Sequence, residues 1–127
     1  MSFNLADTIR TARLQLLADA MSGGTLTLYT APRPAIGAAI TTQTALVEVA
    51  IPAGLTASAA TLTLSLATST VLVEDEAVWG RITGSTDAFV ADGDCGLLAS
   101  SAIFKLKTTY LAAGANLIPI IASFSEP

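Results

Sequence analysis

The feature that most limits what this chain can fold into is a change of hydrophobic period at Ser22-Gly23-Gly24. Before it, Leu5, Ile9, Ala12, Leu16 and Ala20 recur every three or four residues and share a face, which predicts one amphipathic helix over Asn4 to Met21. Arg10, Arg13 and Asp19 fall largely off that face, and Ser2 or Asn4 is the expected N-cap. The glycines end the helix, because glycine takes the left-handed position after a helix without a Cβ clash. After Gly24 the period is 2. Thr25-Leu26-Thr27-Leu28-Tyr29 alternates, and Thr61-Leu62-Thr63-Leu64-Ser65-Leu66 sets leucines against hydroxyls, the pattern of a strand buried on one side.

The same alternation marks further strands at Thr41 to Ile51, Ala77 to Thr83, Ala88 to Ala91, Ala102 to Lys107 and Leu117 to Phe124. In Thr41 to Ile51, Ala45, Val47, Val49 and Ile51 point one way and Glu48 the other. Thr70 to Val73 reads as a short extension or a separate strand, and Leu97-Leu98-Ala99 as a segment pairing back on the strand before it. Ala31-Pro32-Arg33-Pro34 interrupts the ladder, since proline cannot donate to it, and Pro119 assigns the last strand an edge or a bulge. Pro52-Ala53-Gly54, Gly84-Ser85-Thr86-Asp87 and Asp92-Gly93-Asp94 carry turn chemistry, the last of a hairpin. About eight or nine short strands with turn signals every 8 to 12 residues predict an all-β sandwich or barrel. With 127 residues there is one domain, an N-terminal helix over 1–23 followed by a β domain over 24–127.

Charged residues make up only 13% of the chain against 52% hydrophobic ones, so the surface is weakly charged and partly apolar, as surfaces that meet protein are. The net charge is −4 and the six cations form no cluster, which argues against a nucleic acid partner, because backbone binding runs on Lys/Arg neutralising phosphates. Val49 to Val73 and Thr108 to Ser125 are charge-free and long enough for a membrane span. Pro52, Gly54, Gly114, Asn116, Pro119 and the alternating hydroxyls make them strands, so no membrane partner is expected, and Asp7, Arg10, Arg13 and Asp19 break any signal-peptide core.

The chemical inventory is thin. There is no histidine, which removes Ser-His-Asp and Cys-His arrangements. Cys95 is the single cysteine, so it forms no intramolecular disulfide or cysteine zinc site, and Asp92 and Asp94 beside it raise its pKa. Glu74-Asp75-Glu76 and Asp92-Gly93-Asp94 are the two acidic groups. They read as solvated turns; a calcium loop at Asp92/Asp94 or a carboxylate-dependent hydrolase using Glu74 or Asp92 is the weaker alternative, because no third ligand or facing carboxylate follows. Gly23-Gly24 lies after a helix and before a strand, the reverse of a phosphate-binding loop. No catalytic residue, cofactor or metal is assigned, and the chain reads as a non-enzyme. Trp79 and Arg81 share a strand face, either as a core or interface tryptophan or as a sugar-stacking or cation–π platform.

The order of Ala12-Arg13, Gly23-Gly24, Leu28-Tyr29-Thr30-Ala31-Pro32-Arg33-Pro34, Thr41-Thr42-Gln43-Thr44-Ala45-Leu46, Ala77-Val78-Trp79-Gly80-Arg81-Ile82 and Val90-Ala91-Asp92-Gly93 resembles small structural virion proteins of tailed bacteriophages. That resemblance implies an antiparallel, jelly-roll-like β-sandwich acting as a capsid cement or decoration protein in the virion, assembled in the bacterial host cytoplasm. The implied partners are the major capsid protein or another virion protein and further copies of the chain, as a dimer or trimer. A tail- or fibre-associated structural or receptor-binding module is the alternative. The expected contact residues are Ile9, Arg13 and Leu16 on the helix, Pro32, Arg33 and Pro34 in the proline loop, and Trp79 and Arg81 on the exposed face of their strand.

Overall fold

The computed structural model describes residues 6–59, 61–65, 69–117 and 121–125. One helix, α1 (Asp7–Met21), precedes eleven strands: β1 (Thr25–Tyr29), β2 (Ala45–Ala50), β3 (Thr61–Ser65), β4 (Ser69–Thr70), β5 (Asp75–Glu76), β6 (Trp79–Thr83), β7 (Phe89–Leu97), β8 (Phe104–Leu106), β9 (Tyr110–Leu111), β10 (Asn116–Leu117) and β11 (Ile121–Ser125). The helix starts after Ala6, which offers no capping side chain, and Asp7 in the first turn pairs with Arg10. The expected caps Ser2 and Asn4, and Leu5, lie outside the described residues, as does Pro119.

Ile9, Ala12, Leu16 and Ala20 do share a helix face, but it looks to solvent, with Leu16 71% exposed. The buried face is Leu14, Ala18 and Met21, with Leu17 packed beside them. The helix exit fixes this rotation. Ser22 donates from both N and Oγ to the Ala18 carbonyl, Gly23 sits at φ +73°, and Gly24 passes so close to β6 that a Cβ there would lie 2.0 Å from the Thr83 carbonyl oxygen. The Gln15 amide then fastens the loop after β2: its Nε2 donates to Leu55 O and its Oε1 accepts from Ala57 N, as a neighbouring strand would.

Seven strands form one curled sheet in the order β2-β1-β6-β7-β8-β11-β3. Its pairs are antiparallel except β7–β8, which run parallel with Cys95 beside Phe104 and Leu97 beside Leu106. The sheet is therefore mixed, not wholly antiparallel, and it is β8, not Leu97-Leu98-Ala99, that pairs with this end of β7. Two-stranded pieces, β4 with β10 and β5 with β9, complete the described β structure. The core lies on one face of the sheet, where Leu26, Leu28, Val47, Val49, Leu62, Ile82, Phe104 and Leu106 meet the buried side of α1. Burial of each such side chain contributes about 1.5–3 kcal/mol.

Asp92-Gly93-Asp94 is the middle of β7, not a turn. The chain reverses at Gly84–Ala88, where Gly84 N donates to Ala88 O and Asp87 N to Gly84 O. Gly93 pairs across strands with Gly80, and both lie under the Phe104 ring: a Cβ on Gly80 would come within 3.1 Å of it and one on Gly93 within 2.8 Å. The glycine is in this sequence because a ring occupies the space of its side chain, which local turn chemistry does not reveal. Thr41 to Thr44, expected in β2, stay outside it because Gln43 draws them into the neighbouring loop. No described helix is long and apolar enough to cross a membrane.

Candidate functional site

The face of the sheet opposite the core carries the residues with chemistry. Pairing across β1, β6 and β7 sets Thr27 beside Arg81 beside Asp92, and Tyr29 beside Trp79 beside Asp94. The connection 30–44 lies over this face as a strap. Arg81 Nε and a terminal nitrogen donate to the two Asp92 carboxylate oxygens at 2.7 and 3.0 Å, with only 1% of the Asp92 side chain exposed. The Arg81 guanidinium carbon sits 5.2 Å from the Trp79 ring centroid and 5.3 Å from that of Phe89. Trp79 stacks on Tyr29 at 4.7 Å, and its indole N–H donates to Thr30 O at 2.9 Å.

The strap is tied down at both ends and in the middle. Gly37 N–H donates to Asp92 Oδ2 at 3.1 Å, so one carboxylate holds both the cation beneath and the loop above. Arg33 donates to Asp92 O at 3.4 Å. Gln43 accepts from Thr41 N and donates to Pro32 O at 2.6 Å, and Thr30 Oγ1 accepts from Thr44 N. Burial raises the Asp92 carboxyl, but the hydrogen bonds from Arg81 and Gly37 and the charges of Arg81 and Arg33 outweigh it, and it titrates below the ordinary value. The same hydrogen bond holds Arg81 above its ordinary value against desolvation.

This arrangement separates the expected contact residues into two groups. Ile9, Arg13 and Leu16 are on the outer side of α1 or its flank, and Pro32 and Arg33 are exposed on the strap with Pro34 half-buried. Trp79 is fully buried and Arg81 nearly so, because the strap covers them. Trp79 therefore offers no stacking platform for a sugar, and its strand presents no exposed face there. Sequence reasoning missed Gly37, Gln43, Phe89 and the pairing role of Asp92. One signal was present: extending a hairpin from the Gly84–Asp87 turn sets Arg81 opposite Asp92, an extension that a second turn at Asp92-Gly93-Asp94 cut short.

Some of the other titratable groups are also engaged. Asp94 Oδ1 accepts from Ile103 N, Tyr110 donates to Glu74, and Thr109 donates to Glu76. The bond to Glu74 raises the Tyr110 phenol above its usual value. Cys95 is half-buried, and burial, helped by the Asp94 charge, pushes its thiol up to about 12, so the thiolate needed for nucleophilic chemistry is scarce at neutral pH. No three metal-ligating side chains cluster among the described residues. No protein-family model, curated protein or solved structure matches this chain.

Proposed function

We propose that the chain is a structural protein of a tailed-bacteriophage virion, a capsid cement protein that bridges capsid subunits. The observation that carries this reading is the outer side of α1. A helix that already buries Leu14, Ala18 and Met21 also displays Ile9 and Leu16, half or more exposed, in a chain with little charge to solubilise them. Such a face suits burial against protein, with the major capsid protein as partner in place of nucleic acid or a bilayer. The curled sheet would be one wall of a jelly-roll-like sandwich, and the polar interior under the strap would keep the domain rigid under load. The mechanism is mechanical: many copies add interfaces that internal pressure must break together. The chain acts without a cofactor and as a non-enzyme.

Labelled antibody on intact particles tests the assignment. Label over the shell is the expected result. Label at the tail gives the role to a tail or fibre module instead, and particles without label overturn the virion reading. Deleting the helix is a poor second test, since it removes core residues. Ile9→Glu with Leu16→Glu leaves the buried face intact and should abolish binding to purified capsids, which is read by co-sedimentation.

A further inference from the structure

The strap does more than cover the sheet. Its tip, Pro34 to Ile40, holds no charge, and the Ala38 N to Ala35 O turn with Gly37 at φ +71° lifts Ile36 to 81% exposure. The tip is not loose: Gly37 N–H is fixed to the buried Asp92 carboxylate, and a Cβ on Gly37 would sit 3.3 Å from the Phe89 ring, itself partly exposed. A rigidly displayed isoleucine beside Phe89 and the exposed Arg33 makes an apolar knob with one positive charge. Arg33 makes no ion pair among the described residues.

The chain also carries the complement of this knob. Leu72 is 67% exposed, Val73 beside it is exposed, and the two run directly into Glu74, Asp75 and Glu76, where the exposed Tyr110 pairs with Glu76 across the strands and reaches Glu74 with its hydroxyl. Tyr110 and Thr109 hold two of these carboxylates by hydrogen bonds, and no cation pairs with any of the three among the described residues. An apolar patch edged with negative charge matches an apolar knob edged with a positive one in both exposure and sign.

We infer that the strap tip docks a second copy of this chain, seating Ile36 on the Leu72–Val73–Tyr110 patch with Arg33 against Glu74–Glu76. This deepens the homo-oligomer part of the virion reading and rests on it only for its biological setting. The solution experiment uses the purified chain alone, so its failure leaves shell binding standing, and absence from particles leaves self-association standing.

Sedimentation equilibrium of the full chain provides the test. The mass should rise above the monomer with concentration. Ile36→Asp and Leu72→Glu should each weaken association by about 10- to 100-fold, the loss expected for one buried aliphatic side chain. A mixture of these two variants should associate more tightly than either alone, because each retains the face the other lacks. Arg33→Glu and Asp75→Arg should each weaken association about 5-fold, and the double variant should return to the wild-type affinity. All four positions are exposed, and unchanged circular dichroism confirms that each variant folds. A wild-type chain that stays monomeric to about 1 mM, Ile36→Asp at wild-type mass, or a charge swap without rescue overturns the inference.

Discussion

Asp92→Asn is the sharpest probe of how this fold is held. The substitution keeps the shape and removes one charge. The amide oxygen can take the Oδ2 position and still accept from the Arg81 terminal nitrogen and Gly37 N–H, but the amide nitrogen must then face Arg81 Nε, another donor, at the 2.7 Å position. One acceptor contact becomes a donor–donor contact, and a buried guanidinium loses its counter-charge. Breaking one side of a buried pair costs about 3–5 kcal/mol, which for 127 residues lowers the melting temperature by roughly 10–20 °C. Urea unfolding followed by Trp79 emission measures it, since Trp79 is the single tryptophan and lies under the strap. The pH dependence gives an independent sign. Because the folded value of Asp92 is depressed, its contribution is fully present above about pH 4, the unfolded carboxylate value. It is lost as the pH falls through the lower folded value, so the wild type should lose stability into acid more steeply than Asp92→Asn. Replacing both partners, Arg81→Met with Asp92→Leu, should recover most of the loss. A single-variant cost below about 1 kcal/mol, or parallel acid profiles, would refute the view that this carboxylate holds the strap.

Two further outcomes test the packing and the thiol. Gly93→Ala should destabilise by about 1–3 kcal/mol in thermal unfolding, because its methyl would press on Phe104, and Phe104→Leu in the same chain should relieve part of that. Cys95 should react with a thiol reagent at neutral pH many-fold more slowly in the native protein than in urea, and equal rates would remove burial as the cause of its raised pKa.

The alternating strands were legible because their pattern is set by one buried face. Leu26 and Leu28, Leu62, and Ala102, Phe104 and Leu106 are all on the core side that their period indicates. The helix was legible as a helix but not in rotation, since apolar residues occur on both its sides and only the junction at Gly24 selects Leu14, Ala18 and Met21. Asp92-Gly93-Asp94 shows the limit from the other direction. Its composition suits a turn, yet Gly93 answers to Phe104 ten or so residues on, and Asp92 to Arg81 across a hairpin. The cover over Trp79 was beyond reach, because it rests on Gly37, Gln43 and Thr30, whose roles are single hydrogen bonds to or from the backbone with no sequence period.

The position of β3 has a consequence for how the molecule is made. Among the described residues its only sheet neighbour is β11, which leaves the ribosome roughly 60 residues later, about 3–12 s at ordinary rates of synthesis. Throughout that interval a charge-free Thr-Leu-Thr-Leu-Ser segment has both edges open, without a lysine, proline or bulge to discourage pairing with a neighbouring nascent chain. The half of the sheet beginning at β1 can form early, but the half containing β3 is completed after most of the chain has been translated. Expression at lower temperature, or co-expression with a holdase chaperone, should therefore raise soluble yield more than any substitution in the finished fold.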